Sequence, residues 1–69
     1  MTIELKIEGM HSSGCTNAVR RVLTSVPSVS AVTVDLAAGS ASIEAGADVD
    51  AAKLVSVVEE AGYEARIKT

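Results

Sequence analysis

The sequence predicts an α+β sandwich in the order strand, helix, strand, strand, helix, strand, with a four-stranded antiparallel sheet and two helices on one face. Three observations predict it. Apolar and polar residues alternate in four short runs, the period of a strand with one buried face. In two longer stretches between those runs the apolar spacing lengthens to that of a helix. Gly, Pro and small polar residues mark the junctions.

The first strand is read at residues 2–8, where Ile3, Leu5 and Ile7 alternate with Glu4, Lys6 and Glu8. A small, polar loop follows, "GMHSSGC". The first helix is read at residues 14–25: Val19, Val22, Leu23 and, just past its end, Val26 fall at i, i+3, i+4 and i+7, one helical face, and Pro27 stops it. Residues 29–36 place Val32, Val34 and Leu36 on one side, "AAG" supplies a turn, and Ala41 and Ile43 alternate in 40–45, so these two strands form a hairpin. Asp48 or Asp50 can cap a second helix over 51–61, with Leu54, Val55, Val58 and Ala61 as its apolar stripe and Gly62 in the left-handed position after it. A last strand over 63–68 sets Tyr63, Ala65 and Ile67 on one side. This βαββαβ order is the ferredoxin-like arrangement, built of two βα units each followed by another strand.

Composition narrows the function. The 69 residues make one small domain, read as spanning 1–69, and with Tyr63 its only aromatic ring the core must be aliphatic. A net charge of −3, with only Arg20 and Arg21 adjacent, argues against a nucleic-acid partner, which needs clustered Lys and Arg. The opening "MTIELKIE" has no uninterrupted apolar run, so the chain reads as soluble, cytoplasmic and not itself membrane-embedded. One cysteine cannot close an internal disulfide, and an unpaired thiol suits a reducing compartment.

The loop holds the only Cys and the only His of the chain, four positions apart. A thiol at a helix start, beside unpaired backbone N–H groups and the positive end of the helix dipole, has its pKa lowered, and Arg20 and Arg21 would add positive potential. Such a thiolate suits soft ions, Cu(I) first and Zn(II) second. The competing reading makes Cys15 a small buried hydrophobe, which a Ser-Ser-Gly loop is poorly made to enclose. His11 reads either as a metal ligand or as a solvated loop residue, and Met10 as a hydrophobic plug beneath the loop rather than a thioether ligand.

The segments "IEGMHSSGCTNAVRRVLTSVPSV", "VSAVTVDLAAGSASIEAG" and "LVSVVEEAGYEA" resemble the heavy-metal-associated domain, the family of small copper chaperones and of the N-terminal domains of metal-transporting P-type ATPases. The family pattern is Gly-Met-x-Cys-x-x-Cys, an amphipathic helix, a Val-Pro-Gly-Val-like turn and a late Ala-Gly-Tyr. Gly9, Met10, Cys15, Val26, Pro27, Val29, Ala61, Gly62 and Tyr63 match it. The resemblance implies a Cu(I) site, a partner of the same fold to which the ion passes, and a shielding role for Tyr63 beside the metal loop. It also exposes one departure: Ser12 stands where the family has its first metal-binding cysteine. A serine hydroxyl is a hard, weak donor, so the two-thiolate site is absent as written.

Three origins of Ser12 fit the sequence: an engineered Cys replacement, a natural weaker site shared by His11 and Cys15, or a domain that has lost metal binding. Because each chain offers one thiolate, two chains can pool Cys15 around one ion, or join as a disulfide, in a two-fold homodimer. Two rivals come from other classes. An enzyme using Ser12, His11 or Cys15 as nucleophile or base is disfavoured, since adjacent Ser and His point apart and no oxyanion hole can be assigned. A protein-interaction module of the same fold that binds no metal is the stronger alternative; Asp48, Asp50, Glu59 and Glu60 cluster at the second helix, as a solvated face or a docking one.

Overall fold

The computed structural model describes residues 1–68. It contains β1 (Thr2–Glu8), α1 (Ser13–Thr24), β2 (Val29–Asp35), β3 (Ser40–Ala45), α2 (Ala51–Glu60) and β4 (Glu64–Ile67). The sheet order is β2-β3-β1-β4, and each of the three pairings is antiparallel. α1 packs along β2 and α2 along β4, with the helices touching each other.

Twelve apolar residues make the core: Ile3, Leu5 and Ile7 of β1, Ala41, Ile43 and Ala45 of β3, Val19 and Leu23 of α1, Leu54 and Val58 of α2, and Val26 and Val49 from the connections. The strand residues alternate because successive side chains leave opposite faces of a pleated sheet. The face turned from the helices therefore carries Glu4, Lys6, Glu8, Ser42 and Glu44. Val49 was not legible as core from periodicity. It precedes the N-cap Asp50, whose carboxylate accepts the Ala52 N–H at 3.0 Å, and it joins Leu54 in the core, the staple that fixes a helix entry.

Two expectations shift at element ends. Leu36 leaves β2 and lies 40 % exposed in the hairpin turn, where the Gly39 N–H bonds its carbonyl. Tyr63 precedes β4 rather than opening it, and Ile67, expected on the packed side, is 48 % exposed on the edge strand. β2 also carries a bulge between Val29 and Ala31. The extra residue lets Val29 pack on the core together with Val32 and Val34, against simple alternation.

The C-terminal end of β1 gathers the loop 9–12, the start of α1, the end of α2 and the β2–β3 turn. β1 runs toward this end, where Lys6 pairs Ser40 of β3 and Glu8 pairs Glu64 of β4.

Candidate metal centre

Three local structures aim side chains at the loop. Gly9 has φ 99°, a left-handed value, and a Cβ there would meet the Tyr63 ring at 3.4 Å, so this glycine both turns the chain and admits the ring. Met10 is half-buried and packs on the core, the plug the sequence predicts. Ser12 is the N-cap of α1, with its carbonyl accepting N–H groups from Cys15 at 3.0 Å and Thr16 at 3.2 Å. Its hydroxyl makes no cap bond. It turns instead to the Cys15 sulfur at 3.7 Å.

Tyr63 is set by the end of α2. The Gly62 N–H bonds Glu59 O and the Tyr63 N–H bonds Val58 O, a Schellman closure with Gly62 at φ 101°. This fixes the half-buried ring beside Gly9 and brings its hydroxyl to Cys15.

Cys15 lies in the first turn of α1, a half-buried free thiol whose pKa is lowered to about 7. The largest cause is the backbone N–H of His11, followed by the Tyr63 and Ser12 hydroxyls. The Ser12 backbone N–H adds a smaller contribution, and all four donate to the sulfur and favour its charged form. The same bond raises the Tyr63 pKa, which keeps the phenol protonated and donating. The lowering and the part played by backbone N–H groups are thus as the sequence predicts, but the arginines are not among its sources. Arg20 directs its guanidinium to the Asn17 side chain at 3.0 Å, and the groups that polarise the sulfur belong to the loop and to Tyr63.

The structure brings Cys15 and Ser12 together and places His11 next to them in sequence, exposed to solvent. What His11 directs at the sulfur is its backbone N–H. Among the described residues no three His, Cys, Asp or Glu side chains are grouped so that they could hold an ion. The centre is one polarised thiol with hydroxyl neighbours.

The chain belongs to the heavy-metal-associated domain family, whose model matches residues 4–64. It is 35 % identical over 63 residues to copper-transporting ATPase 2 of Rhizobium meliloti (strain 1021), covering 91 % of this chain and 8 % of the ATPase. It is also 35 % identical over 68 residues to a copper-exporting P-type ATPase of Staphylococcus aureus (strain Newman), covering 97 % of this chain and 8 % of the ATPase. The chain therefore spans about a twelfth of these relatives' length. Among solved structures, the N-terminal domain of PacS from Synechocystis PCC6803 superposes with a TM-score of 0.90 at 32 % identity, over 100 % of this chain and 98 % of that one. A chain described under crosstalk between Cu(I) and Zn(II) homeostasis gives a TM-score of 0.95 at 32 % identity, over 99 % of both. No helix among the described residues is long and apolar enough to cross a membrane.

Proposed function

We propose that this domain binds a soft metal ion, Cu(I) before Zn(II), through the Cys15 thiolate and exchanges it with a partner of the same fold. The partner is a metal-transporting P-type ATPase or a copper chaperone, and the exchange takes place in the cytoplasm. The observation that carries the reading is the polarised sulfur: a half-buried thiol with a pKa of about 7 is about half thiolate at neutral pH, and the thiolate is the form that ligates soft ions. The copper relatives support Cu(I), and the chain described under crosstalk with Zn(II) keeps zinc as the second ion.

Ser12 weakens this site. Its hydroxyl stands 3.7 Å from the sulfur, where a second donor would share an ion with Cys15, but oxygen is too hard to replace a second soft ligand for Cu(I). His11 supplies the second donor within one chain by turning its exposed imidazole onto the ion. A second copy supplies it otherwise, as a Cys15 thiolate in a metal-bridged homodimer or, on oxidation, a disulfide. The domain works as a carrier and has no catalytic role of its own. The alternative, an interaction module of the same fold that carries no metal, is favoured by Ser12 alone.

X-ray absorption at the copper edge of the Cu(I)-loaded chain tests the ligand set. The reading expects a sulfur shell that disappears in Cys15→Ala, and a His11→Ala chain whose affinity falls at least tenfold, ~1.4 kcal/mol, wherever the ion is held by one chain. Copper surrounded by nitrogen and oxygen alone would contradict it.

A further inference from the structure

The sheet order β2-β3-β1-β4 leaves two strands with one neighbour each, and the two edges are built differently. β4 is four residues long, and Glu64, Arg66 and Lys68 place a charge at every second position, which discourages another strand from pairing there. β2 is seven residues long, holds Val32, Thr33 and Val34 together, and carries its one charge, Asp35, at its last position. Neither Lys nor Pro interrupts it. The bulge between Val29 and Ala31 guards only its first residues.

The register shows which backbone groups β2 leaves open. The Ala45 N–H bonds Met1 O, toward β1, so alternation turns the groups of Ile43 and Ala41 toward β1 and those of Glu44, Ser42 and Ser40 toward β2. Ala31, Thr33 and Asp35, opposite the latter three, therefore bond β3. Val32 and Val34 point their N–H and C=O groups the other way, where the sheet has no further strand among the described residues. Their side chains are half-buried on the core side, along which α1 packs, and Thr33 is exposed on the open face.

These open groups are self-complementary. When a second β2 runs antiparallel about a two-fold axis through Thr33, Val32 of each copy stands opposite Val34 of the other and exchanges both N–H···O bonds with it. Thr33 then meets Thr33, a favoured cross-strand pair, and Asp35 faces Ala31 rather than another carboxylate. Setting Val32 opposite Val32, or Val34 opposite Val34, sends the remaining valine to the bulge or to Leu36 beyond the strand end.

We propose that two copies of this chain associate edge to edge through β2, antiparallel and centred on Thr33, joining their four-stranded sheets into one. The inference is independent of the copper reading, because antiparallel β2 strands send the two Cys15 loops to opposite ends of the joined sheet. The contact is of the small, transient class, below ~1,200 Å².

Sedimentation of the metal-free, reduced chain should show a reversible monomer–dimer equilibrium as concentration rises to ~1 mM, the range of weak association. Thr33→Lys and Thr33→Glu set like charges opposite each other and should each weaken the dimer at least tenfold, while an equimolar mixture sets opposite charges together and should restore it. Thr33 is exposed, so both variants keep the core. Cross-linking reads the register. In Cys15→Ala/Thr33→Cys the introduced thiols face each other at the Cα spacing of a non-hydrogen-bonded pair, ~4.5 Å, within disulfide reach. Diamide takes up the two hydrogens released as two thiols join in an S–S bond. It should cross-link this chain at least tenfold faster than Cys15→Ala/Ala31→Cys, whose thiols lie four residues apart along the strands, ~13 Å. A chain that stays monomeric over this range would leave the edge to a strand of another protein and overturn the self-pairing. A dimer that forms only with copper, single variants that dimerise normally, a mixture that fails to dimerise, or equal cross-linking rates would each overturn it as well.

Discussion

At the residue scale the chemistry rests on four donors to one sulfur, the His11 and Ser12 backbone N–H groups and the Tyr63 and Ser12 hydroxyls. The Cys15 thiol has its pKa lowered to about 7, so in the folded chain its thiolate predominates above that pH and is lost as pH falls through it. Alkylation rate against pH should show a midpoint near 7, against ~8.5 for a free thiol. Tyr63→Phe removes the second-largest of the lowering contributions and should move the midpoint upward; an unchanged midpoint would show that the phenol does not reach the sulfur in solution. Ser12→Ala should move it less and cost little helix stability, because the hydroxyl makes no cap bond. A loss of ~1 kcal/mol, the usual value of an N-cap, would contradict that. The sequence placed Cys15 at the helix start and assigned its lowered pKa to unpaired backbone N–H groups and the helix dipole, with Arg20 and Arg21 adding to it; backbone N–H groups do contribute, foremost that of His11 in the loop, beside the Tyr63 and Ser12 hydroxyls. Which N–H groups point at a sulfur depends on the path of the loop, and neither composition nor spacing encodes that path.

At the element scale most boundaries were legible because periodicity and turn chemistry agree. Asp50 caps α2, Gly62 takes the left-handed position after it, and Pro27 follows α1 as expected. The α1–β2 turn holds a feature that no pattern announces: Ser28 has φ 71°, where a non-glycine residue is strained by roughly 1–2 kcal/mol. Its hydroxyl bonds Asp48 at 2.9 Å and its carbonyl accepts the Gly46 N–H at 3.0 Å, tying this turn to the approach to α2. The side-chain bond is exposed and offsets only part of the strain, so Ser28→Gly should stabilise the fold by about 0.5–1 kcal/mol. Thermal unfolding would register this as a Tm higher by several degrees, at ~4–8 °C per kcal/mol for a domain of this size. A lower Tm would mean that the Asp48 bond outweighs the strain. The bulge in β2 was equally hidden, because one inserted residue alters the facing of Val29 without altering the apolar content of the run.

At the scale of the whole molecule an aliphatic core holds the two helices so that the start of α1 and the end of α2 meet at one loop. Leu23 and Leu54, both fully buried, anchor one helix each. Leu23→Ala should cost ~2–5 kcal/mol in denaturant unfolding, a large share of the stability of a domain this small, and a cost below 1 kcal/mol would contradict the packing described. The fold was readable because four alternating runs and two helical ones admit few arrangements. The family was readable because its glycines, proline and tyrosine sit where the structure needs them: Gly9 against the Tyr63 ring, Gly62 at the end of α2. The central claim is that Cys15 holds a soft ion and that Ser12 limits how tightly it is held. The most direct test is competition for Cu(I) against a chelator of known affinity, under reducing conditions, with the unmodified chain, Cys15→Ala and Ser12→Cys. The account predicts measurable binding by the unmodified chain, none at the loop in Cys15→Ala, and an affinity at least a hundredfold higher in Ser12→Cys, ~2.7 kcal/mol. Equal affinities for the serine and cysteine forms, or copper retained by Cys15→Ala, would contradict it.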